Sequence, residues 1–277
     1  MRTLRIGPLA IRFEGLGDAL DEVLDDRFGG FVERGKAAPS VTVRRKEDAA
    51  ARGLAPWAPG ERYRIEADRA SGRLVVRSYH FVLSEEAPGS WRLSIDAAGR
   101  EPAGRILENV ARYVLAHLAI ERGGFALHGA GVRREGRAWI FAGPSGAGKT
   151  TAAALSRPCE SLGDDFAVVL PDGEGLGVPA VPFDNAEVAT EPAVRGLVPL
   201  AGIWRLFQSP EHAVEHPAAP VAQASLLACA AFPWALPGLE GRLADAVARV
   251  SGSGRFAHLR FARDPGFWPL LVRESAR

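Results

Sequence analysis

Cysteine is scarce in this 277-residue sequence: only Cys159 and Cys229 are present, far apart and outside any CxxC or Cys/His spacing. That excludes a disulfide framework and a structural zinc site and leaves two buried thiols as the plain reading. Long hydrophobic runs are missing too, since nowhere do about 18 uncharged apolar residues follow one another. The opening Met1-Arg2-Thr3-Leu4-Arg5 has no apolar core of the kind a secretory signal requires. Charge of one sign is equally lacking: 34 basic against 33 acidic side chains leave a net charge of +1. No global field marks the chain for nucleic acid or anionic lipid, although a local basic groove is compatible with this balance. No internal repeat or low-complexity tract interrupts it. These absences lead to the expectation of a soluble, cytoplasmic protein that engages neither nucleic acid nor membrane.

What is present is an ordinary globular mixture, 47% hydrophobic and 24% charged. At about 100 to 200 residues per domain the chain has room for one large or two ordinary domains. Residues 1–104 carry short alternating runs: Leu4 to Ile6, Ala10 to Phe13, Val41 to Arg44, Tyr63 to Glu66, Leu74 to Ser78 and Trp91 to Ile95. Period-two patterning broken by Gly, Pro, Asp and Ser predicts strands and hairpins, with a short helix at Asp18 to Leu24 and loops at Lys36 to Pro39 and Ala55 to Gly60. This strand-rich amino-terminal region carries no recognisable chemistry and is a candidate for substrate recognition.

Residues 105–277 read differently. Ile106, Leu107, Val110, Val114, Leu118 and Ile120 recur at helical spacing until Gly123-Gly124, which predicts a helix over Arg105 to Arg122. Strands are expected at Phe125 to His128 and Arg137 to Ala142, on either side of the turn Glu135-Gly136. A glycine-rich segment then leads into a helix over Thr150 to Leu155. Further strands are expected at Phe166 to Leu170, closed by Asp172-Gly173, at Ala201 to Phe207 and at Phe256 to Phe261, with helices over Val221 to Ala231 and Leu239 to Val250. Mixed strands and helices around a glycine loop predict an α/β core.

Gly143-Pro144-Ser145-Gly146-Ala147-Gly148-Lys149-Thr150 satisfies the P-loop pattern G-x-x-x-x-G-K-S/T directly after the β-like Ile140-Phe141-Ala142. Glycines let the backbone turn its N–H groups inward as an anion nest, and the next helix adds its positive end. Lys149 reaches the outer phosphates and the Thr150 hydroxyl can ligate Mg²⁺. The expected ligand is a nucleoside triphosphate with Mg²⁺, held by Gly143 through Thr151. Leu162-Gly163-Asp164-Asp165 follows after a short predicted helix and return loop. Alone, an Asp-Asp pair is usually a turn or cap. Near a P-loop, one carboxylate can hold the metal while the other accepts a hydroxyl proton during phosphoryl transfer. His128, in Leu127-His128-Gly129-Ala130-Gly131, is a structural histidine on its own and a site candidate by its place in this arrangement.

An HG element, a GPSGAGKT loop and a GDD element in this order resemble the HPr kinase/phosphorylase superfamily, whose nucleotide-binding core is similar to that of ATP-dependent phosphoenolpyruvate carboxykinase. The specific likeness runs from His128 to about Leu170. It is weaker through Trp204, the segment around Leu226 and Phe261 to Trp268, and does not reach the first hundred residues. The resemblance implies an α/β fold with a P-loop, phosphoenolpyruvate-carboxykinase-like core. It also implies that Lys149 and the loop backbone bind ATP phosphates, that Thr150 binds Mg²⁺, and that Asp165 is the base toward a serine hydroxyl. Asp164 then supports it or binds metal, with the two roles exchangeable, and His128 lines the site. Members of that superfamily phosphorylate serine in a small carrier protein, and shorter relatives act on peptides encoded beside them.

The chain departs from that pattern in lacking the downstream signature E-I-R-G-L-G, so neither a phosphorylase reaction nor HPr as substrate is expected. Gly175-Leu176-Gly177 reads as a hairpin turn, and Glu187 and Glu191 are only positional candidates for a second metal ligand. Arg195 and Arg205 are candidates for balancing charge on the transferred phosphoryl group, against the plainer reading of surface arginines. The segment from Ala230 to Pro237 reads as a packed helix end or an apolar recognition surface. The expected activity is an ATP- and Mg²⁺-dependent kinase acting on a Ser/Thr hydroxyl of a peptide or small protein. A small-molecule kinase on the same core and a nucleotide-binding regulator without turnover stay open, as does association of identical chains.

Overall fold

A computed structural model describes residues 1–35, 39–46, 64–69, 73–95, 101–183, 194–233 and 236–275 of the chain. The fold is mixed α/β, with two sheets packed around one long helix. The first sheet is built from β1 (Arg2–Ile6), β2 (Leu9–Glu14), β3 (Val32–Glu33), β4 (Val41–Arg45), β5 (Ile65–Asp68), β6 (Val75–Ser78), β7 (Phe81–Ala87) and β8 (Ser90–Ile95), in the order β3-β1-β2-β4-β8-β7-β6-β5. Its strands largely alternate: Leu4, Ile6, Ile11, Phe13, Val41, Val43, Trp91 and Leu93 point into the core, while Arg12, Thr42, Arg44 and Arg92 face the other way, with Thr3, Ala10 and Ser94 buried on that second face. This is close to the pattern of a sheet covered mainly on one side. α1 (Asp18–Phe28) crosses from β2 towards β3.

α2 (Ala103–Glu121) lies between the sheets and is buried along most of its surface, as a helix apolar on nearly every side must be. Its first and last turns aside, Glu108, the half-buried Asn109, Arg112 and His117 interrupt the apolar surface; Glu108 meets two arginines, Arg112 among them, and His117 meets Trp91 edge-on at 5.1 Å and Glu121 at 3.4 Å.

The second sheet contains β9 (Phe125–Leu127), β10 (Gly129–Arg134), β11 (Arg137–Ala142), β12 (Glu160–Gly163), β13 (Ala167–Asp172), β14 (Gly175–Pro179), β15 (Leu197–Gln208), β16 (Ala213–Glu215) and β17 (Phe256–Phe261). The main path runs β12-β10-β11-β15-β14-β13-β9, with β17 pairing β15 and β16. The long β15 lies antiparallel to β14 over its first residues and then runs parallel between β11 and β17. α3 (Lys149–Leu155) and α6 (Trp268–Ser275) cover one face through Trp139, Phe141, Trp204, Phe261, Phe267 and Trp268; α4 (Ala219–Cys229) and α5 (Glu240–Gly252) flank the other. No described helix is long and apolar enough to cross a membrane.

Several expectations need correction. The strand expected at Phe125 to His128 is β9, which stops at Leu127 and pairs with β13; a further strand that was not expected, β10, begins at Gly129 and is the one that Glu135-Gly136 joins to β11. The segment leading to Gly163 is a strand, β12, paired with β10. Gly175-Leu176-Gly177 is part of β14 and not a turn, because the reversal comes one step earlier, at the positive φ of Gly173. The loop expected at Ala55 to Gly60, and Tyr63 of the expected strand, lie outside the described residues.

Candidate functional site

Carboxyl ends of parallel strands collect ligands in α/β sheets, since the chain leaves each strand there as a loop. β11 ends at Ala142 and runs straight into the glycine loop, and β15 passes beside it in parallel, with Arg205 opposite Ala142. Gln208, three residues past the last paired position with β11, donates from Nε2 to the Gly146 carbonyl at 2.8 Å and ties the loop to the neighbouring strand. The turn into α3 requires Gly148: its φ is +103°, and a Cβ there would lie 2.8 Å from Cε1 of the buried Phe261 ring. Pro144, Ser145, Gly146 and Thr150 are exposed and Ala147, Gly148 and Thr151 half-buried, so the loop presents its outer side to solvent.

Lys149 is buried at 7% exposure, and its Nζ donates to the carbonyls of Gly143 and Pro144 at 3.2 Å each. The same ammonium lies 3.4 Å from Oδ1 of Asp165. Thr150 Oγ1 reaches both oxygens of the buried Asp164, at 3.1 and 2.9 Å. The acidic turn is held in an unusual conformation. Asp165 has φ +69°, a region that costs a non-glycine residue about 1 to 3 kcal/mol and persists only where the surroundings enforce it. They do so from both sides. Asp164 N–H donates to the Phe183 carbonyl at 2.9 Å, and Gly163 (φ +133°) sits where a Cβ would be 2.3 Å from Cγ2 of Val181.

His128 lies in the link between β9 and β10. Its N–H donates to the Cys229 carbonyl at 2.7 Å, and its own carbonyl accepts from Gly143 N–H at 3.2 Å, so the backbone joins α4 to the P-loop through this residue. The ring keeps an exposed edge inside a recess. Loss of water around it pushes its pKa down, and Lys149 and Arg112 push the same way, against the Asp165 charge and a hydrogen bond with the Asp165 backbone. Neutral imidazole is the form this recess favours.

Of the two candidate arginines, Arg205 stands at the site and Arg195 does not. Arg195 lines a small cavity with Arg5, Gly7, Phe31 and Val194, just before the opposite end of β15. Arg205 lies over the Phe207 ring at 5.3 Å, its buried Nε has no hydrogen-bond partner, and its charge reaches both Cys229 and His258. Burial raises the Cys229 thiol against the pull of Arg205 and Lys149. Burial also lowers His258, whose Nε2 meets Ser225 Oγ at 3.0 Å. Glu187 and Glu191 lie outside the described residues. Ala230, Ala231, Phe232 and Leu236 are buried, so the described part of the segment from 230 to 237 is a packed helix end.

Sequence reasoning missed Glu108, Arg112, Gln208 and the role of the Cys229 carbonyl. For Glu108 and Arg112 a signal existed, two charges one helical turn apart inside an otherwise apolar helix face. For the others none did, because their contacts are long-range.

The residues that can face Mg²⁺ are few. Among the described residues no group of three or more His, Cys, Asp and Glu side chains converges. Mg²⁺ beside a nucleotide needs less, since it commonly keeps several waters and takes one or two protein oxygens besides the phosphates. Thr150 Oγ1 and the Asp164 carboxylate, already in contact, fit that requirement.

With this geometry in place, the family model that matches is the one described as SynChlorMet cassette protein ScmC, over residues 105–214, less than half of the chain. This overturns the resemblance to the HPr kinase/phosphorylase superfamily drawn from the HG, GPSGAGKT and GDD elements. Such short elements are what any phosphate cradle with a metal-side carboxylate demands, so their order alone does not separate one family from another. The matched stretch takes in α2, the P-loop, the acidic turn and β15. No curated protein matches the chain.

Proposed function

We propose that this protein is an ATP- and Mg²⁺-dependent kinase that transfers the γ-phosphoryl group to a Ser/Thr hydroxyl of a peptide or small protein, acting in the cytoplasm. The observation that carries the reading is the convergence of Lys149, Thr150, Asp164 and Asp165. A buried cation at the mouth of a glycine loop lies 3.4 Å from one carboxylate, while the next residue's hydroxyl is hydrogen-bonded to the other. The same reading takes the second sheet as a P-loop core of the phosphoenolpyruvate-carboxykinase kind.

In this account the loop backbone and Lys149 would hold the outer phosphates, and Thr150 and Asp164 would hold Mg²⁺, which would supply positive charge against the phosphates. Asp165, beside Lys149, takes the proton of the acceptor hydroxyl as its oxygen bonds to the γ-phosphorus and the bond to the ADP oxygen breaks. Arg205, with an unpaired Nε at the end of the neighbouring strand, balances charge on the group in transit. Neutral His128 lines the recess.

The test is intact mass of hydroxyl-bearing peptides and small proteins incubated with ATP and Mg²⁺, beside ATP-binding calorimetry on wild type and Lys149→Ala. A phosphate-sized mass increase that the variant loses is the expected result. Lys149-dependent ATP binding with no acceptor modified and no hydrolysis would replace the kinase by a nucleotide-binding regulator.

A further inference from the structure

Asp165 holds a φ of +69°, a left-handed conformation that Asp tolerates better than most residues but still at a cost, so contacts from outside the turn help to keep it there. Two residues flank the acidic pair: Phe166 follows Asp165, and Phe183 supplies the carbonyl that accepts the Asp164 N–H. Their rings meet edge-on at 5.3 Å. Over both lies the Arg112 guanidinium of α2, 6.0 Å from the Phe166 ring and 5.1 Å from the Phe183 ring. Such a contact is better kept where a partner holds the guanidinium in place.

Glu108 does so, one turn back on α2. Its Oε1 binds Arg112 Nη2 at 2.6 Å, and its Oε2 accepts from Arg27 of α1, from Nε at 2.9 Å and also from Nη2. Glu108 is 6% exposed, so this carboxylate, with a guanidinium on each oxygen, has little water to turn towards. The next residue of α1, Phe28, meets Phe183 edge-on at 6.1 Å. Consecutive residues of the amino-terminal helix thus reach the acidic turn by two routes, one ionic through Glu108 and Arg112 and one aromatic.

We infer that Arg112, braced by Glu108 and Arg27, is a positioning residue for Asp164 and Asp165. The amino-terminal region is thereby a working part of the site, and an event that displaces α1 changes turnover. The first half of this statement stands on geometry alone; the second rests on the kinase reading above.

The experiment compares wild type, Arg27→Ala and Arg27→Lys as full chains. Arg27 is about one-third exposed, and its removal leaves the Glu108–Arg112 pair in place, so both variants are expected to fold. Backbone-amide exchange over residues 163–167 is read against residues 137–142 of β11. Arg27→Ala should raise exchange in the turn about tenfold with β11 unchanged, and Arg27→Lys should restore it. Turn exchange within twofold of wild type, or an equal rise in β11, overturns the inference. Where wild type transfers phosphate, kcat of Arg27→Ala should fall roughly 10- to 100-fold with the calorimetric Kd for ATP unchanged; an unchanged kcat overturns the coupling. If wild type transfers none, the kinase reading falls and amide exchange still decides whether the brace positions the turn.

Discussion

The two sheets of this molecule share a helix and differ in what their strands end in. In the first sheet, strands alternate between an apolar inner face and an outer face of paired charges such as Arg44 with Glu14. Most of what this sheet supplies is buried area and a frame for α1. In the second sheet the central strands are covered on both faces, and the P-loop, the acidic turn, Arg205 and His128 gather towards one set of strand ends. Chemistry sits where the regular hydrogen-bond ladder stops, because a strand interior leaves no backbone group free and no room for a ligand. A sheet whose strand ends gather no such groups is a scaffold, however large its core.

The division can be attacked from either side. Asp165→Asn should lower phosphoryl transfer by about 10²- to 10⁴-fold, the contribution of a general base, while calorimetry finds ATP binding retained. Undiminished turnover would remove Asp165 from the base role. On the other side, Trp91 of β8 is 1% exposed and meets Tyr113 and His117 edge-on, so Trp91→Ala should cost about 3 to 5 kcal/mol in urea unfolding. The folded fraction should bind ATP as wild type does, and a parallel loss of affinity would dissolve the distinction between frame and site.

The same substitution can be placed in both sheets. Gly89 has φ +73° with nothing nearer to a new Cβ than the Ser40 carbonyl at 3.6 Å, so Gly89→Ala should cost about 1 to 2 kcal/mol of backbone strain and leave ATP binding alone. Gly148→Ala adds the collision with Phe261 and should weaken ATP binding as well; equal effects on affinity would contradict the loop's assignment.

The smallest effect concerns the shared helix. Burial holds the His117 pKa below its ordinary value, chiefly by desolvation, with Glu121 opposing. A folded pKa below the unfolded one means that at neutral pH both states are uncharged there and nothing is lost. Below about pH 6.5 the unfolded chain takes up the proton first and stability falls. Wild type should therefore lose stability on acidification from pH 7 to 5, with a contribution from this one proton of at most about 1.4 kcal/mol per pH unit. His117→Gln should show a shallower slope, and identical slopes would mean that His117 titrates freely.

Much of the architecture was legible. The helical spacing over Arg105 to Arg122 reappears as α2, and the run before the glycine loop as β11. β10 was not, because its first half, Gly129-Ala130-Gly131, carries none of the bulky alternation that marks a strand. Those glycines are required by packing, since a Cβ on Gly129 would lie 2.9 Å from Cγ2 of Ile140 and one on Gly131 3.1 Å from Cβ of Leu162. In the site, the P-loop lysine and threonine and the Asp pair do come together, because one strand-loop-helix unit and one neighbouring turn place them. Arg195 failed for the converse reason, as roughly ten residues of extended strand, about 33 Å, separate it from Arg205. The family likeness failed because motif order reports the needs of a phosphate cradle more than ancestry.

The first sheet also ends differently from most sheets of its width. Among the described residues its margins are β3, two residues long, and β5, four residues long, where Glu66 and Asp68 are exposed and Arg64 pairs with Glu66. A foreign strand docking on either margin would find few main-chain partners and, along β5, a row of charges to strip of water. Growth by strand addition is thereby discouraged, and any association of identical chains is directed to helices and loops, away from the borders of this sheet.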